Sequence, residues 1–477
     1  MLFTSPIFLF LFLPAVMLSY VAIKAKYRKR AILVYNVVFL LCANFHRPVN
    51  VLLIISVMLL AYSAGISIQK NKRQRTLIMY ASLMTLSLLL VRSVAGLLYV
   101  IDYEYYPLGI SVYMLSAISY VVDVYRGDAK AGSFFDVALY LGFFPTMICG
   151  PIVKYKDFCS LVSDEGIKPS TESFATGILL FSFGFIKKIG ISAVLVETYE
   201  KLIPIGENGY SVILLFAISS LMFLAIYFGF SGYSDMASGI SHMLGIKIQS
   251  DGNNVFVTLT SPSRYVSGFL SSLGDWMDDY VKQPITDFLT SRAKDGNRTR
   301  YITFVSSFVR AFCICAWFKS SPQILLIIAP IALAVATEDA FLHKRRYMRS
   351  RVVYIPSALI TFVVISLFWS FMKDGGVSRF FYDLAGSSFV GLEEQIFEMM
   401  SSLFSLKTLL SLTAAILCLL ISIGNTRRFI RNSSSTGALI LRTVVSIVIL
   451  AAFMACVLIY LPQYPIYSTV PFKDFAM

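Results

Sequence analysis

The sequence predicts an all-α, polytopic integral membrane protein with about 11–13 membrane helices plus re-entrant segments. Three observations predict it. First, 57% of the 477 residues are hydrophobic and only 14% are charged. Soluble domains carry about a quarter charged residues, so too few charges remain to clothe a soluble surface. Second, apolar runs recur from end to end, near residues 2–23, 31–44, 50–68, 77–101, 108–122, 134–150, 173–197, 211–230, 301–317, 322–337, 352–373, 406–424 and 437–461. Many have the roughly 17–25 residues that cross a bilayer as helix. They are continuous blocks such as Leu52–Ile66 and Val444–Tyr460, not the short alternating strands of a membrane barrel. Third, the basic residues gather in alternate loops. Lys24, Lys26, Arg28, Lys29 and Arg30 follow the first run, and Lys70, Lys72, Arg73 and Arg75 the third. Asp102 and Glu104 follow the fourth without basic neighbours. The excess of positive charge on cytoplasmic loops then puts the N-terminus outside and loops 24–30 and 70–76 inside. His343–Arg351 and Arg427–Arg431 are expected on the same side.

Taken in order, Met1–Ile23 has no Lys or Arg before it and no A-x-A-like cleavage site after it. It therefore reads as a retained membrane helix and not as a signal peptide. The stretch 248–300 differs in kind. It holds Gly252, Asn253, Asn254, Pro262, Gly268, Gly274, Pro284 and Gly296, with acids at Asp275, Asp278 and Asp279. Irregular backbone at membrane depth must be buried in protein or line a wet cavity. A re-entrant or cytoplasm-facing funnel element is expected there, within a single polytopic domain spanning 1–477. No internal repeat is apparent, which counts against a secondary transporter.

The formal net charge is +14, from 41 Lys+Arg against 27 Asp+Glu. In short loops beside apolar helices, this charge points to a lipid bilayer with anionic headgroups as the partner. Nucleic acid is excluded, for there is no zinc-finger spacing and no basic, aromatic-studded soluble module. Of seven cysteines, Cys42, Cys149, Cys313, Cys315, Cys418 and Cys456 lie within or beside apolar stretches and read as small packing residues. Cys313 and Cys315 have no second pair or His cluster with them, so no metal is expected. The spacings suggest no disulfide framework.

Four motifs stand out of this background. The first runs from Tyr106 to Ser111 and on through Ser119–Asp128. The second runs from Tyr140 to Pro145, through Gly150–Lys154, to Asp157 and Phe158. The third is Gly184–Lys188, and the fourth Tyr227–Ala237, running into Gly239 and Gly245. Gly150-Pro151 ends an apolar helix and sets up an irregular turn. Phe230–Asp235 puts small residues, hydroxyls and one carboxylate into an apolar helix. Small residues let helices approach closely, and an intramembrane carboxylate is a functional candidate by default. A satisfied structural network of Ser231, Ser234 and Asp235 is the equal alternative. Asp123, Arg126 and Asp128, where a helix leaves the membrane, read as structural. Lys187 and Lys188 read as pairing with Asp235 or, the preferred reading, as snorkelling to a headgroup.

In order and spacing these motifs resemble the membrane-bound O-acyltransferase family. The branch most like this chain contains the proteins of alginate O-acetylation and of D-alanyl transfer to teichoic acid. The resemblance implies a thin core in which a cytoplasmic funnel meets an outer cavity. It implies no bound cofactor; the acyl group, of acetyl or D-alanyl type, would arrive as a thioester on acyl-CoA or an acyl-carrier protein. It would leave on a hydroxyl of a cell-envelope or exopolysaccharide acceptor. Implied partners are an acyl-carrier or donor protein on the cytoplasmic side and an extracytoplasmic polysaccharide-modifying protein, and the implied location is a bacterial-type plasma membrane. Ser231, Tyr233, Ser234, Trp276, Asp279 and Trp317 would lie along the substrate channel.

Acyl transfer to a hydroxyl needs a base, usually His because its pKa lies near neutrality. The family pattern implies a Trp-His pair, a catalytic His within the following apolar helix, and a closing Glu. Here Trp317 and Glu338 match, but Phe318 and Ile331 occupy the two His positions. Upstream, Trp276 and Asp279–Val281 match, while Phe269 and Leu270 replace an aromatic–His pair. The chain has three His in all, namely His46, His242 and His343. The residues left as candidate bases are Asp235, Glu338 and His242. Two readings stay open: an acyltransferase with a different base, or a catalytically inactive member acting as scaffold or as a conduit for acyl group, lipid or polymer.

Overall fold

The computed structural model describes residues 2–45, 48–99, 109–163, 167, 169–206, 211–251, 258–293, 298–318, 322–342, 351–371, 392–421 and 436–459. Among these the fold is helical, with no strand. Four helical stretches are long and apolar enough to cross a bilayer: Pro48–Lys70, Thr171–Leu202, Ile213–Met243 and Thr299–Phe318. Gln395–Leu403 and Leu406–Leu417, bent by 65° at their junction, make a fifth if they form one span. Shorter apolar helices lie at Phe8–Ala22, Pro356–Phe368 and Ser446–Leu458. The chain is thus an all-α, multi-pass membrane protein.

It divides into two compact units. One holds residues 1–182 and 233–250, and the other 183–232 and most of the chain from 251 onward. The first unit contains α1 (Leu13–Ala22), α2 (Arg28–Ala43), α3 (Pro48–Lys70), α4 (Gln74–Tyr99), α5 (Ile110–Arg126), α6 (Phe134–Leu141), α7 (Phe144–Met147) and α8 (Tyr155–Leu161). It also holds most of α9 (Thr171–Phe185). An aromatic cluster forms its core: the rings of Phe3, Phe8, Phe12, Phe39 and Phe144 pack with centroids 4.9–6.1 Å apart. Polar side chains inside it close backbone gaps. Asn36 of α2 donates to Leu139 O and accepts from the Phe144 N–H at 3.1 Å, which satisfies the break between α6 and α7. Ser133 caps α6, with Asp136 completing a reciprocal capping box. Asp123, fully buried, accepts the Lys156 N–H at 2.9 Å and so ties α5 to the start of α8.

In the second unit a π-helical stretch, Ile186–Ala193, joins the end of α9 to α10 (Val194–Leu202). The first part of α11 (Val212–Met243) lies beside it. Small residues set that approach. A Cβ on Gly232 would sit 2.7 Å from Gly184 O and 3.0 Å from Lys188 N, so only glycine lets the backbones come so near. The same device recurs in the first unit, where a Cβ on Gly239 would meet Gly177 O at 2.7 Å. After α11 come α12 (Pro262–Gly268), α13 (Ser271–Met277), a π turn at Asp278–Lys282 and α14 (Gln283–Arg292). This is the stretch that the glycines, prolines and acids marked as irregular. Its described residues fold as short helices, and side chains hold the starts of α12 and α13. Ser261 accepts the Arg264 N–H at the start of α12, and Asp251 accepts the Ser272 N–H and both the Ser271 and Ser272 hydroxyls at the start of α13. Behind them stand α15 (Thr299–Phe318), α16 (Pro322–Thr337) and α17 (Arg351–Phe371), followed by α18 (Leu392–Leu403), α19 (Leu406–Ile421) and α20 (Thr436–Ile459).

Candidate functional site

The second unit contains a narrow apolar cleft with about 20 Å³ of free space, room for about one water-sized molecule. Tyr265, Val266, Phe269, Leu270 and Leu273, from α12, α13 and the link between them, form one wall. Ile314, Cys315 and Phe318 of α15 form another, and Ile331 of α16 with Ile365 and Phe368 of α17 completes it. The lining is aliphatic and aromatic apart from one phenol and one thiol. Its rings brace one another. Phe269 and Phe318 lie with centroids 6.0 Å apart, and Phe230 of α11 meets both, at 5.8 and 5.9 Å. Trp317 stands edge-on to Phe318 at 5.1 Å.

Leu270, Phe318 and Ile331, the three positions at which the family resemblance implies His, all line this one cleft. They are 48 and 13 residues apart in sequence, and the fold alone brings them together. None has an atom that accepts a proton.

A second cluster lies on the same helix face. Arg310 precedes Ile314 by one turn of α15 and Phe318 by two, so the three share a stripe. It is 3% exposed. Its guanidinium donates to Ser267 Oγ at 2.8 Å and pairs with Asp278 at 3.3 Å and Asp339 at 3.5 Å. Lys282 reaches both carboxylates at 3.9 Å. Ser263 of α12 donates its hydroxyl to Asp339 and its N–H to Glu338, the latter at 3.0 Å. Glu338 is therefore occupied as the acceptor at the N-terminus of α12, where a helix dipole favours an anion. Its role is to fix α12 against the end of α16. A lone arginine inside the apolar run 301–317 was the signal for this network.

The other candidates are placed as follows. Trp276 is buried with its ring 4.9 Å from Tyr280, next to Asp279 in the π turn. Ser231 accepts from Lys187 Nζ at 2.9 Å. Lys187 and Lys188 are each only 1% exposed, which corrects the expectation that they snorkel: the wide π turn carries both inward, and Lys187 lies over the Phe183 ring at 4.5 Å. In the first unit Tyr233, Ser234 and Asp235 are all buried, and the Tyr233 ring lies 6.1 Å from Phe3. His242 is on the same face of α11 as Asp235, two turns or about 10 Å further along. Its Nδ1 is hydrogen-bonded to Ser238 O at 2.8 Å, and its carbonyl accepts from Ser173 Oγ. His46 and His343 lie outside the described residues. Among the described residues no group of His, Cys, Asp and Glu is arranged to hold a metal ion.

Apolar spans, buried ion pairs between them and a cleft enclosed by helices define a polytopic membrane protein built around an internal site. The chain belongs to the MBOAT, membrane-bound O-acyltransferase family, whose pattern matches residues 48–371. It is 30% identical over 313 residues to the probable alginate O-acetylase AlgI of Azotobacter vinelandii, a match that covers 59% of this chain and 59% of that protein. It is 24% identical over 420 residues to the peptidoglycan O-acetyltransferase of Helicobacter pylori, covering 78% of this chain and 77% of the relative. A teichoic acid D-alanyltransferase of Bacillus subtilis is 28% identical over 230 residues, 46% of this chain and 55% of the relative. The chain spans less than two thirds of the length of the alginate relatives it matches.

Proposed function

We propose that this protein serves the acylation of a cell-envelope or exopolysaccharide acceptor, and that it does so without a histidine-based transfer of its own. Family membership and the relatives' named activities support the first part. An acetyl- or D-alanyl-type group would come from a thioester on acyl-CoA or a carrier protein at the cytoplasmic face, and an extracytoplasmic polysaccharide-modifying protein would work with it. One observation carries the second part: Leu270, Phe318 and Ile331 converge on a single cleft that has no proton acceptor among them. A positioned general base contributes ~10²–10⁴-fold to such a reaction. Glu338, the candidate carboxylate seven residues beyond Ile331, is engaged by the Ser263 N–H. The chain then acts as the membrane scaffold or conduit of an acylation system whose chemistry is completed by a partner.

The test is transfer by the purified chain, reconstituted in liposomes with candidate thioester donors and polysaccharide acceptors. The expected result is no transfer above background. Robust transfer abolished by replacing His46, His242 or His343 would defeat the proposal. Transfer that survives loss of all three would make the chain an enzyme with another base, with Asp235 and Glu338 the next residues to replace. The orientation can be read separately. Single cysteines placed in loops 24–30 and 70–76 should resist membrane-impermeant labels applied to intact cells, and efficient labelling of 24–30 would reverse the topology.

A further inference from the structure

We infer that the turn between α1 and α2 is a binding site for the headgroup of an anionic phospholipid, whose phosphate is held among Lys24, Lys26 and Arg30. The site lies in the first unit and does not depend on the acylation reading. Residues 24–30 carry five cations, Lys24, Lys26, Arg28, Lys29 and Arg30, and no acid. In the second unit the basic side chains share carboxylates: Lys201 and Lys407 meet Glu197, and Lys282 and Arg310 meet Asp278 and Asp339. In the turn Lys29 has such a partner, Asp136 at 3.8 Å. Lys24, Lys26, Arg28 and Arg30 pair with no carboxylate among the described residues. Like charges gathered so closely repel one another, and a bound anion reverses that.

Rings hold these cations in place. Lys26 Nζ lies over the Tyr27 ring at 4.8 Å and the Arg30 guanidinium over the same ring at 5.9 Å, so one side chain gathers two cations. Arg28 lies over Tyr20 at 6.0 Å, and the Tyr20 hydroxyl donates to Leu244 O at 2.9 Å. Contact with an aromatic face spares a cation part of the ordering that a ligand would otherwise demand of it. Lys24, Lys26 and Arg30 are exposed. The kind of anion follows from what adjoins them. Leu18 and Val21 on α1 are 76% and 79% exposed, and Val34 and Val38 on α2 are 57% and 42% exposed. In a multi-pass membrane protein such apolar faces meet lipid tails. Arg30 and Val34 are about one turn, or 6 Å, apart along α2, so the cations stand just beyond the tails, at the depth of lipid phosphates. Arginine matches phosphate with its planar fork, and clusters of about four to eight Lys and Arg beside a membrane helix attract acidic lipids. A soluble acidic protein would use the charge and leave the apolar faces uncovered.

The experiment is native mass spectrometry of the full chain in detergent, titrated with phosphatidylglycerol or with phosphatidylcholine of the same acyl chains. Phosphatidylglycerol should be retained more strongly, and should raise the melting temperature of the unaltered chain above its value in phosphatidylcholine. Lys26→Gln should weaken that retention about fivefold, and Lys26→Gln with Arg30→Gln about 30-fold. Tyr27→Leu, which keeps every charge and removes the ring, should weaken it about threefold. Lys201→Gln, which removes one charge beside Glu197, should leave it unchanged. Variants are compared where they elute as the parent does; if none does, the melting temperatures of the unaltered chain decide. Equal retention and equal melting in the two lipids would overturn the site. So would a loss in Lys201→Gln as large as in Lys26→Gln, or no loss in Tyr27→Leu, since net charge alone would then explain the binding. Displacement of the lipid by soluble glycerol phosphate would make the ligand a free phosphate and overturn the lipid. An acidic acyl-carrier protein that binds the parent and not the double variant, with lipid retention alike in both, would make the turn a protein-docking face instead. Transfer by the purified chain, present or absent, leaves each of these outcomes as it stands.

Discussion

The two halves of α15 make opposite use of the same helix face. Around Arg310 the face is ionic, with the guanidinium held between Asp278 and Asp339 and Lys282 beside them. One to two turns on, at Ile314 and Phe318, it is apolar and borders empty space. Intramembrane charge is usually the first sign of a functional centre. Here Arg310, Asp278, Asp339 and Lys282 are tied to one another, and the half that borders the cleft is the half without charge. Charge in this region sets helix positions; the missing charge defines the site.

Substitutions at the two ends sharpen the contrast. Arg310→Met removes the buried centre of the ion network and leaves Asp339 with Lys282 and the Ser263 hydroxyl. Losing hydrogen bonds to charged groups in this way costs about 1.5–3 kcal/mol, so the variant should melt below the parent in detergent. A melting temperature like the parent's would mean the ionic half is not what holds the helices. Gly232→Leu tests the backbone contact with Gly184 that borders the same unit. With 2.7 Å available, overpacking should cost about 1–3 kcal/mol, seen as a lowered melting temperature. Ile331→Val, on α16 across the cleft from the apolar half, should cost only about 0.5–1.5 kcal/mol, because it removes a single methylene from the cleft wall. A larger loss would show that the cleft wall is more tightly packed than its open space implies. The smallest effect is expected at His242. His242→Gln gives up one hydrogen bond to Ser238 O, worth about 0.5–1.5 kcal/mol, and should leave any transfer in the reconstituted assay unchanged.

How much of this was legible in the sequence depends on how far apart the interacting residues are. The spans could be read directly, since hydropathy over a bilayer-length window is a local property. Phe318 and Ile331 could be picked out as departures from a family pattern. Their meeting with Leu270 and Ile365 could not, because it arises from five helices folding round one void. The Arg310–Asp278 and Ser263–Glu338 contacts bridge 32 and 75 residues, and nothing in the local pattern pairs them. Lys187 and Lys188 failed for a different reason. A run of ideal α-helix turns them toward the surface, while the π-helical stretch that turns them inward has no simple periodic signature.

That stretch, Ile186–Ala193, has a genetic corollary. A π turn accommodates a residue beyond what the α-helical ladder would hold. Deleting one residue there would leave hydropathy, length and charge nearly untouched, and the segment would still score as a bilayer span. With that residue gone the stretch can close into regular α-helix, so α10 keeps its direction and the Glu197 carboxylate its pairing with Lys407 of α19, while Lys187 and Lys188 lose the wide turn that carries them inward. A single-codon deletion in this segment should therefore be better tolerated than one in a regular helix of the same protein, where about 100° of rotation per residue would turn everything downstream to a new direction.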